Sequence, residues 1–236
     1  LTYPAGVELV CEDSYTDIVM SDLKALADRV AGDWTEGPYY DEAEREIERQ
    51  WADLIWPLIQ GSDFSVSLDL GAGHGRNTEM LLGVADRVIA VDVNRSNVDF
   101  LRQRFAGNSR VQVIQNNGFD LADVPIESVT FIYSFDSMVH FDRAVVRAYV
   151  KEFRRIMKAG ARGFTHYSNN HADPDADYRE HPGWRNYMSR ELFNRWLNKE
   201  GLEVLLSGYI EEVKRCVAEE SPNCDAFTVF RMPANP

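Results

Sequence analysis

The sequence predicts an α/β fold: a doubly wound sheet, mostly parallel with an antiparallel last strand, behind an N-terminal helical cap. Three observations carry this. Short apolar strands alternate with amphipathic helices from Ser65 onward. Arg87 to Asp92 is a continuous apolar run, the kind that a parallel sheet buries on both faces. A strand ending in Asp69-Leu70 runs straight into Gly71-Ala72-Gly73-His74-Gly75. That puts bare backbone at the carboxyl end of the first strand, where open α/β sheets take ligands.

The elements follow in order. Residues 1 to 20 show no clean period and are expected on the surface. Leu23, Leu26, Ala27 and Val30 space a short helix that ends near Gly32. Trp34 to Tyr40 reads as an aromatic turn, and Ala43, Ile47, Trp51, Leu54 and Ile55 mark a longer helix from Asp41 to Leu58. Strands are expected at Ser65 to Leu70, Arg87 to Asp92, Val111 to Ile114, Ser128 to Ser134 and Arg162 to Tyr167. Helices are expected from Thr78, over Ser96 to Phe105, and from Val145 to a cap at Gly160. Ser168 to Tyr187 is a polar flap. Ser189 caps the last helix, Gly201 follows its end, and Leu202 to Ile210 and Asp225 to Met232 close the chain as strands.

The chain has 236 residues, the length of one structural unit, divided into a helical cap (1–60) and a ligand-binding domain (61–236). With 44% hydrophobic residues it can bury a full core. Its net charge of −13 argues against a nucleic-acid backbone or an anionic membrane as partner. No apolar run approaches the roughly 18 residues of a spanning helix, and the N-terminus lacks a secretory pattern. Cys11, Cys216 and Cys224 show no pairing or zinc spacing. A soluble cytoplasmic protein is expected. The chain starts at Leu1, so a preceding segment is left open; the oligomeric state is not legible.

The loop is more specific than a glycine count. The dinucleotide fingerprint GxGxxG requires a third glycine where Arg76 stands, which disfavours a nicotinamide dehydrogenase. Asp69, ahead of the first glycine, suits a cationic ammonium better than a pyrophosphate. Asp92 closes the second strand about 20 residues after Gly71, the spacing at which an acid accepts from ribose hydroxyls. The implied ligand has a ribose, no diphosphate and a positive charge.

Ser65 to Asn77 resembles the first motif of the class I S-adenosylmethionine-dependent methyltransferases, whose sheet is Rossmann-like, and Asp92 resembles the acid of the next motif. The likeness extends from Ser65 to Tyr167. It implies S-adenosylmethionine as cofactor and S-adenosylhomocysteine as product. Asp69, Gly71 and Gly73 would line the methionine end, with Ala72, Arg76 and Asn77 in the same loop. Asp92, followed by Val93, would hold the ribose. Asn117, Gly118 and Phe119 would flank adenine, although the family often has aspartate at Asn117 and an Asn-Gly pair also forms turns unaided. Ser134 and Phe135 would lie beside the sulfonium.

Past the fourth strand, His140 is a candidate general base and Asp136 a candidate to orient an acceptor hydroxyl. The same His140 serves equally as a hydrogen-bonded loop residue, and Asp136 equally as a turn cap. Positioning alone can supply most of the acceleration for so good a leaving group. His166, Asn169, Asn170, His171 and Asp173 resemble a metal-ligand set, but such loops are common solvated turns, and no metal is expected. His166 at the end of the fifth strand, Trp184, Arg185 and Tyr187 from the flap, and Tyr40 from the cap are expected to contact the acceptor. Trp34 and Tyr39 would cover the cofactor, or simply pack the cap. The basic residues from Arg143 to Lys158 read as a solvated helix face. The expected activity is O-methylation of a small polar acceptor, a saccharide or natural-product intermediate, without nucleic acid. An aminopropyl transferase and a non-catalytic cofactor-binding sensor or scaffold are the alternatives.

Overall fold

The computed structural model describes residues 20–34, 38–170, 173, 176–211, 214–216 and 225–234. The irregular start, Gly37 of the aromatic turn, His171, Cys11 and Cys224 lie outside the described residues. Eight strands form one sheet: β1 (Val66–Leu70), β2 (Arg87–Asp92), β3 (Val111–Gln115), β4 (Val129–Ser134), β5 (Met157–Tyr167), β6 (Glu203–Glu211), β7 (Lys214–Cys216) and β8 (Asp225–Arg231). Their order is β3-β2-β1-β4-β5-β8-β6-β7. The pairs from β3 to β5 are parallel, and β8 runs antiparallel between β5 and β6. The expected antiparallel last strand is therefore present; the short β7 was not foreseen.

Among the described residues seven α-helices cover the sheet: α1 (Met20–Ala31), α2 (Pro38–Gln50), α3 (Trp56–Ile59), α4 (Arg76–Leu82), α5 (Arg95–Arg104), α6 (Arg143–Ile156) and α7 (Arg190–Lys199). The alternation of strand side chains explains why both faces need cover. Leu68, Leu70, Ile89, Val91 and Ile132 face a core built with α6, α7 and Ala27 of α1. Val88, Ala90, Phe131 and Tyr133 face a second core with Trp51, Leu54, Ile55, Ile59 and Leu81. The N-terminal helices thus pack on opposite faces. Between α2 and α3, Trp51–Ile55 widens into a π turn, closed by Trp56 N–H donating to Trp51 O. Pro57, which has no N–H, follows at once, and the wider turn accommodates the missing donor.

One boundary moved. The helix expected to reach Gly160 ends at Ile156, and buried Met157 is already extended and paired with Val129 of β4. Gly160, at φ +79°, lies in an excursion of β5 before Arg162 pairs with Phe131. Elsewhere the caps follow the sequence: the Asp142 carboxylate accepts from Ala144 N–H and Ser189 Oγ from Leu192 N–H. No helix among the described residues is long and apolar enough to cross a membrane.

Candidate active site

The strand order reverses between β1 and β4, and a cleft lies at their carboxyl ends, as the doubly wound topology requires. It spans about 970 Å³ out to its opening. The glycine loop forms one wall. Gly71 has φ +72°, and a Cβ there would come within 1.8 Å of Ser137 Oγ in the loop after β4. Only glycine permits both the left-handed backbone and the close approach. Gly73 donates its N–H to Asp92 Oδ2 at 2.8 Å.

Asp92 lines the cleft as expected, 6% exposed. Its Oδ1 accepts from Asn94 N–H at 2.9 Å and Asn97 Nδ2 at 3.2 Å. Burial pushes its pKa up, against these donors. Ala72, Arg76, Asn77, Val93, Gly118, Phe135, Asp136, His140 and Tyr40 also line the cleft.

Other residues stand elsewhere. Asp69 is not among the lining residues. It is buried, accepts from Thr78 Oγ1 at 2.6 Å, and is pushed by burial up to about 7. Side chains alternate along β1, so with Leu70 on the cleft Asp69 points away, toward α4. Ser134 donates to Leu70 O at 3.0 Å and is fully buried. Asn117 turns into its own loop, accepting from the amides of Phe119 and Asp120, and Phe119 packs in the core. Asn116, one residue earlier, lines the cleft and donates to Tyr149 OH at 2.8 Å. His166, Trp184, Arg185 and Tyr187 are likewise absent from the lining. Arg143 sits 5.2 Å from the Tyr187 ring.

The loop after β4 is held in a strained form. Asp136 has φ +59°, unusual for a residue with a side chain. Arg76 Nη2 donates to Asp136 Oδ2 at 2.8 Å, and Tyr39 OH donates to the same oxygen. Burial would raise the Asp136 carboxyl, but the Arg76 guanidinium and the donors on it outweigh burial and hold it well below the usual range. The Tyr39 phenol is pushed up by burial and by Asp136. Among the described residues, Arg76–Asp136 is the one ion pair with both members on the cleft.

His140 is stacked on Trp34, ring centroids 4.2 Å apart. Its Nδ1 lies 2.8 Å from Trp184 O, which can only accept, so Nδ1 carries the proton and Nε2 the lone pair. Burial lowers its pKa to about 4 and keeps it neutral. Trp184 and Asn186 of the flap thereby pin the loop, Asn186 N–H donating to Val139 O and its Nδ2 to His140 O.

α1 and Trp34 roof the cleft through Leu26, Ala27, Val30 and Ala31. Trp34 O accepts from Asn94, Asn97 and Tyr40. His74 is sandwiched between Tyr40 and Phe100 at 3.7 and 4.1 Å. Two buried polar atoms of this wall lack partners: Asn97 Oδ1, an acceptor, and Trp34 Nε1, a donor. Together with Asp92 they fit a ligand that offers hydroxyl donors and an acceptor. Asn97 was missed in the sequence. Its signal was an amide beside Val98 and Leu101 in a buried helical stripe. Among the described residues no cluster of three His, Cys, Asp or Glu is placed to hold a metal.

Residues 68–160 match the family model described as a methyltransferase domain. A sequence relative from Methanococcoides burtonii, "Probable ribosomal RNA small subunit methyltransferase A", is 27% identical over 143 residues, covering 56% of this chain and 53% of that one. The chain thus spans about half the length of this curated relative. Two solved structures share the fold. One is a chain of the complex between the Haloferax volcanii Trm112 methyltransferase activator and a methyltransferase (TM-score 0.61, 16% identity, 90% of this chain and 98% of that one). The other is geranyl diphosphate C-methyltransferase from Streptomyces coelicolor A3(2), bound to Mg2+, geranyl diphosphate and S-adenosylhomocysteine (TM-score 0.62, 14% identity, 89% and 97%). The matched segment carries the glycine loop, and the fold is the one found in solved S-adenosylmethionine-dependent methyltransferases, which the chain resembles. S-Adenosylmethionine is the cofactor of such enzymes.

The sequence relatives correct one expectation. Nucleic acid was excluded as a partner on net charge, yet the matched relatives are named as ribosomal RNA methyltransferases, and one structural neighbour is part of a protein complex. Net charge sums the whole surface and is silent about a local basic path. On α6, exposed Lys151 and Arg154 and half-buried Arg147 share one stripe.

Proposed function

We propose that the chain transfers the methyl group of S-adenosylmethionine to an oxygen, or less readily a nitrogen, of a polar acceptor. The observation that carries this is a single cleft uniting the glycine loop, Asp92, the Arg76–Asp136 pair and His140. When bound, the cofactor supplies an activated methyl on a sulfonium. Asp92 and Asn97 hold ribose hydroxyls, and Asn116 and Gly118 border the adenine. Arg76 and Asp136 hold the carboxylate and ammonium of its amino-acid end. That replaces Asp69, whose carboxyl is turned away toward Thr78. A carboxylate held so low and already engaged by two donors is a poor base, so Asp136 fixes charge rather than moving a proton. His140 faces the acceptor with a free Nε2 and orients its O–H or N–H; near a pKa of about 4 it accepts only a proton already leaving. Trp34, Tyr39 and α1 exclude water.

The reading takes the acceptor as a hydroxyl or amino group and leaves its carrier to the assay. A ribosomal RNA acceptor is the second reading, favoured by the relatives' names and by the α6 stripe. An aminopropyl transferase is disfavoured because Arg76 suits an intact carboxylate. A cytoplasmic location accompanies the proposal, supported by a sequence with few cysteines and no CxxC or zinc-ligand spacing among them.

The test begins with calorimetric titration of S-adenosylmethionine, S-adenosylhomocysteine and NAD. Binding of the first two and not the third supports the reading; binding of NAD alone overturns it. Tritiated methyl transfer is then measured against small-subunit ribosomal RNA and against saccharides. Cofactor binding without transfer to any acceptor would leave the sensor or scaffold.

A further inference from the structure

Outside the cleft lining, Asp225 forms a polar pair with buried His166. His166 is 3% exposed, on β5, and its ring is stacked on Phe135, centroids 4.8 Å apart. Asp136 donates its backbone N–H to His166 Nδ1 at 3.1 Å. A ring nitrogen accepts only when it carries no proton, so the proton sits on Nε2. His166 Nε2 lies 3.3 Å from Asp225 Oδ2, within electrostatic reach but off the line of a hydrogen bond, so Asp225 acts on it through charge. Asp225 opens β8, which the sheet inserts next to β5, and this brings it across from a residue distant in sequence. Arg185 of the flap clamps the same carboxylate, with Nε at 2.9 and 3.0 Å from its two oxygens and Nη2 at 2.7 Å. One chain of contacts therefore runs from Arg185 through Asp225 and His166 to the backbone of Asp136.

Asp136 needs such support. Its left-handed backbone is unfavourable for a side-chain-bearing residue and persists only where surroundings determine it. Arg76 and Tyr39 fix the carboxylate, but neither fixes the peptide that aims it. His166 does.

We propose that Asp225, acting through His166, is a positioning pair that sets the backbone of Asp136 so that its carboxylate meets the ammonium end of the cofactor. This rests on the reading of Arg76 and Asp136 given above. Asp225 dictates the His166 tautomer, and the tautomer dictates whether Nδ1 can accept the Asp136 N–H.

Asp225→Asn tests the direction of that control. Arg185 has only donors, so it takes the single oxygen of the amide and leaves the NH2 group toward His166. The imidazole then accepts at Nε2 and carries its proton on Nδ1, against the Asp136 N–H. His166→Asn keeps a carbonyl oxygen where Nδ1 stood and no longer needs Asp225. His166→Ala keeps nothing.

The experiment is calorimetry on the full chain with S-adenosylhomocysteine and with 5′-methylthioadenosine, which retains the nucleoside and lacks the amino-acid end. Asp225→Asn and His166→Ala should weaken S-adenosylhomocysteine about tenfold or more, in the range of supporting-residue effects at other sites. Methylthioadenosine should stay within about twofold, and His166→Asn should recover S-adenosylhomocysteine to within about threefold of wild type. Nitrogen-15 NMR of the imidazole should show the Nε2–H form in the wild type and the Nδ1–H form in Asp225→Asn. Equal loss for both ligands, no loss for S-adenosylhomocysteine, or an Nδ1–H tautomer in the wild type overturns the proposal. Should Asp225→Asn fail to fold, the His166 pair and the wild-type tautomer decide. Asp136→Ala separates the two layers. If it binds S-adenosylhomocysteine undiminished, the reading of Asp136 fails; if it weakens binding while Asp225→Asn does not, the positioning pair alone fails.

Discussion

Gly71→Ala puts the loop to its severest test. At φ +72° an L-residue meets its own carbonyl oxygen, which costs about 1 to 2 kcal/mol. The added methyl also lands 1.8 Å from Ser137 Oγ and 2.8 Å from Ser137 Cβ, so the loop after β4 has to retreat. Forcing an extra carbon into a packed site costs about 1 to 3 kcal/mol. The sum, about 2 to 5 kcal/mol, corresponds to a fall in Tm of about 4 to 20 °C for a chain of this size. Thermal melts followed by circular dichroism measure it. Ser137→Gly in the Gly71→Ala background removes the overlap and leaves the backbone strain. The double variant should therefore recover roughly half the loss in Tm. S-Adenosylhomocysteine affinity, read by calorimetry, should fall in the single variant and return in part in the double one. A Gly71→Ala protein that melts and binds like wild type would refute the close approach of the two loops, and with it the geometry of the cleft.

Three further outcomes are expected. Asp92→Ala removes the acceptor shared by Gly73, Asn94 and Asn97 and should weaken S-adenosylhomocysteine at least tenfold by calorimetry; unchanged affinity would contradict the ribose contact. His140→Ala should lower methyl transfer while leaving cofactor affinity within about twofold, and undiminished transfer removes His140 from the chemistry. Asp69 is pushed up to about 7 by burial, so between its unfolded value near 3.8 and about 7 the folded state holds a proton that the unfolded state has lost. Its contribution is therefore present below about pH 4 and is lost as pH rises through 7. Asp69→Asn should gain on the wild type in Tm from pH 5 to pH 8, and a gap that stays constant with pH would refute the burial.

The parts of the site legible in the sequence were those written within a few residues. The loop from Gly71 to Gly75 follows its strand directly, and Asp92 ends the next, so strand, turn and spacing sufficed. Register and distance defeated the rest. Asp69 was placed on the ligand because the motif contains it, but β1 alternates its side chains and Leu70 takes the cleft. Asn117 and Asn116 are adjacent and chemically identical. The first closes its own turn and the second reaches Tyr149, a distinction set by backbone direction. Gly160 looked like a helix cap because glycine marks helix ends, whereas Met157 had already been claimed by the β4 edge. The flap residues were foreseen near the acceptor from their polarity and aromaticity. The structure places Trp184 and Arg185 behind the site instead, holding His140 and Asp225.

That placement changes what the flap is for. Asp136 is supported by α2 through Tyr39, by α4 through Arg76 and by β5 through His166, and only its own loop is local in sequence. Tyr39 and Arg76 also touch each other, and His166 is followed by Asp225 of β8 and Arg185 of the flap. A strained residue supported this way cannot reach its geometry before the antiparallel end of the sheet is paired and the N-terminal helices are docked. The cofactor-binding half, strands β1 to β3 with their loops, carries the ribose side by itself. The charged end that faces the reacting sulfonium is completed by the rest of the chain. The segment matched by the family model, residues 68–160, holds Asp92, Asn97, Arg76, Asp136 and His140, whereas Trp34, Tyr39, His166 and the flap that support them lie outside it. The segments outside that match are therefore where the support of the charged end, and with it the choice of acceptor, can differ between proteins of one fold.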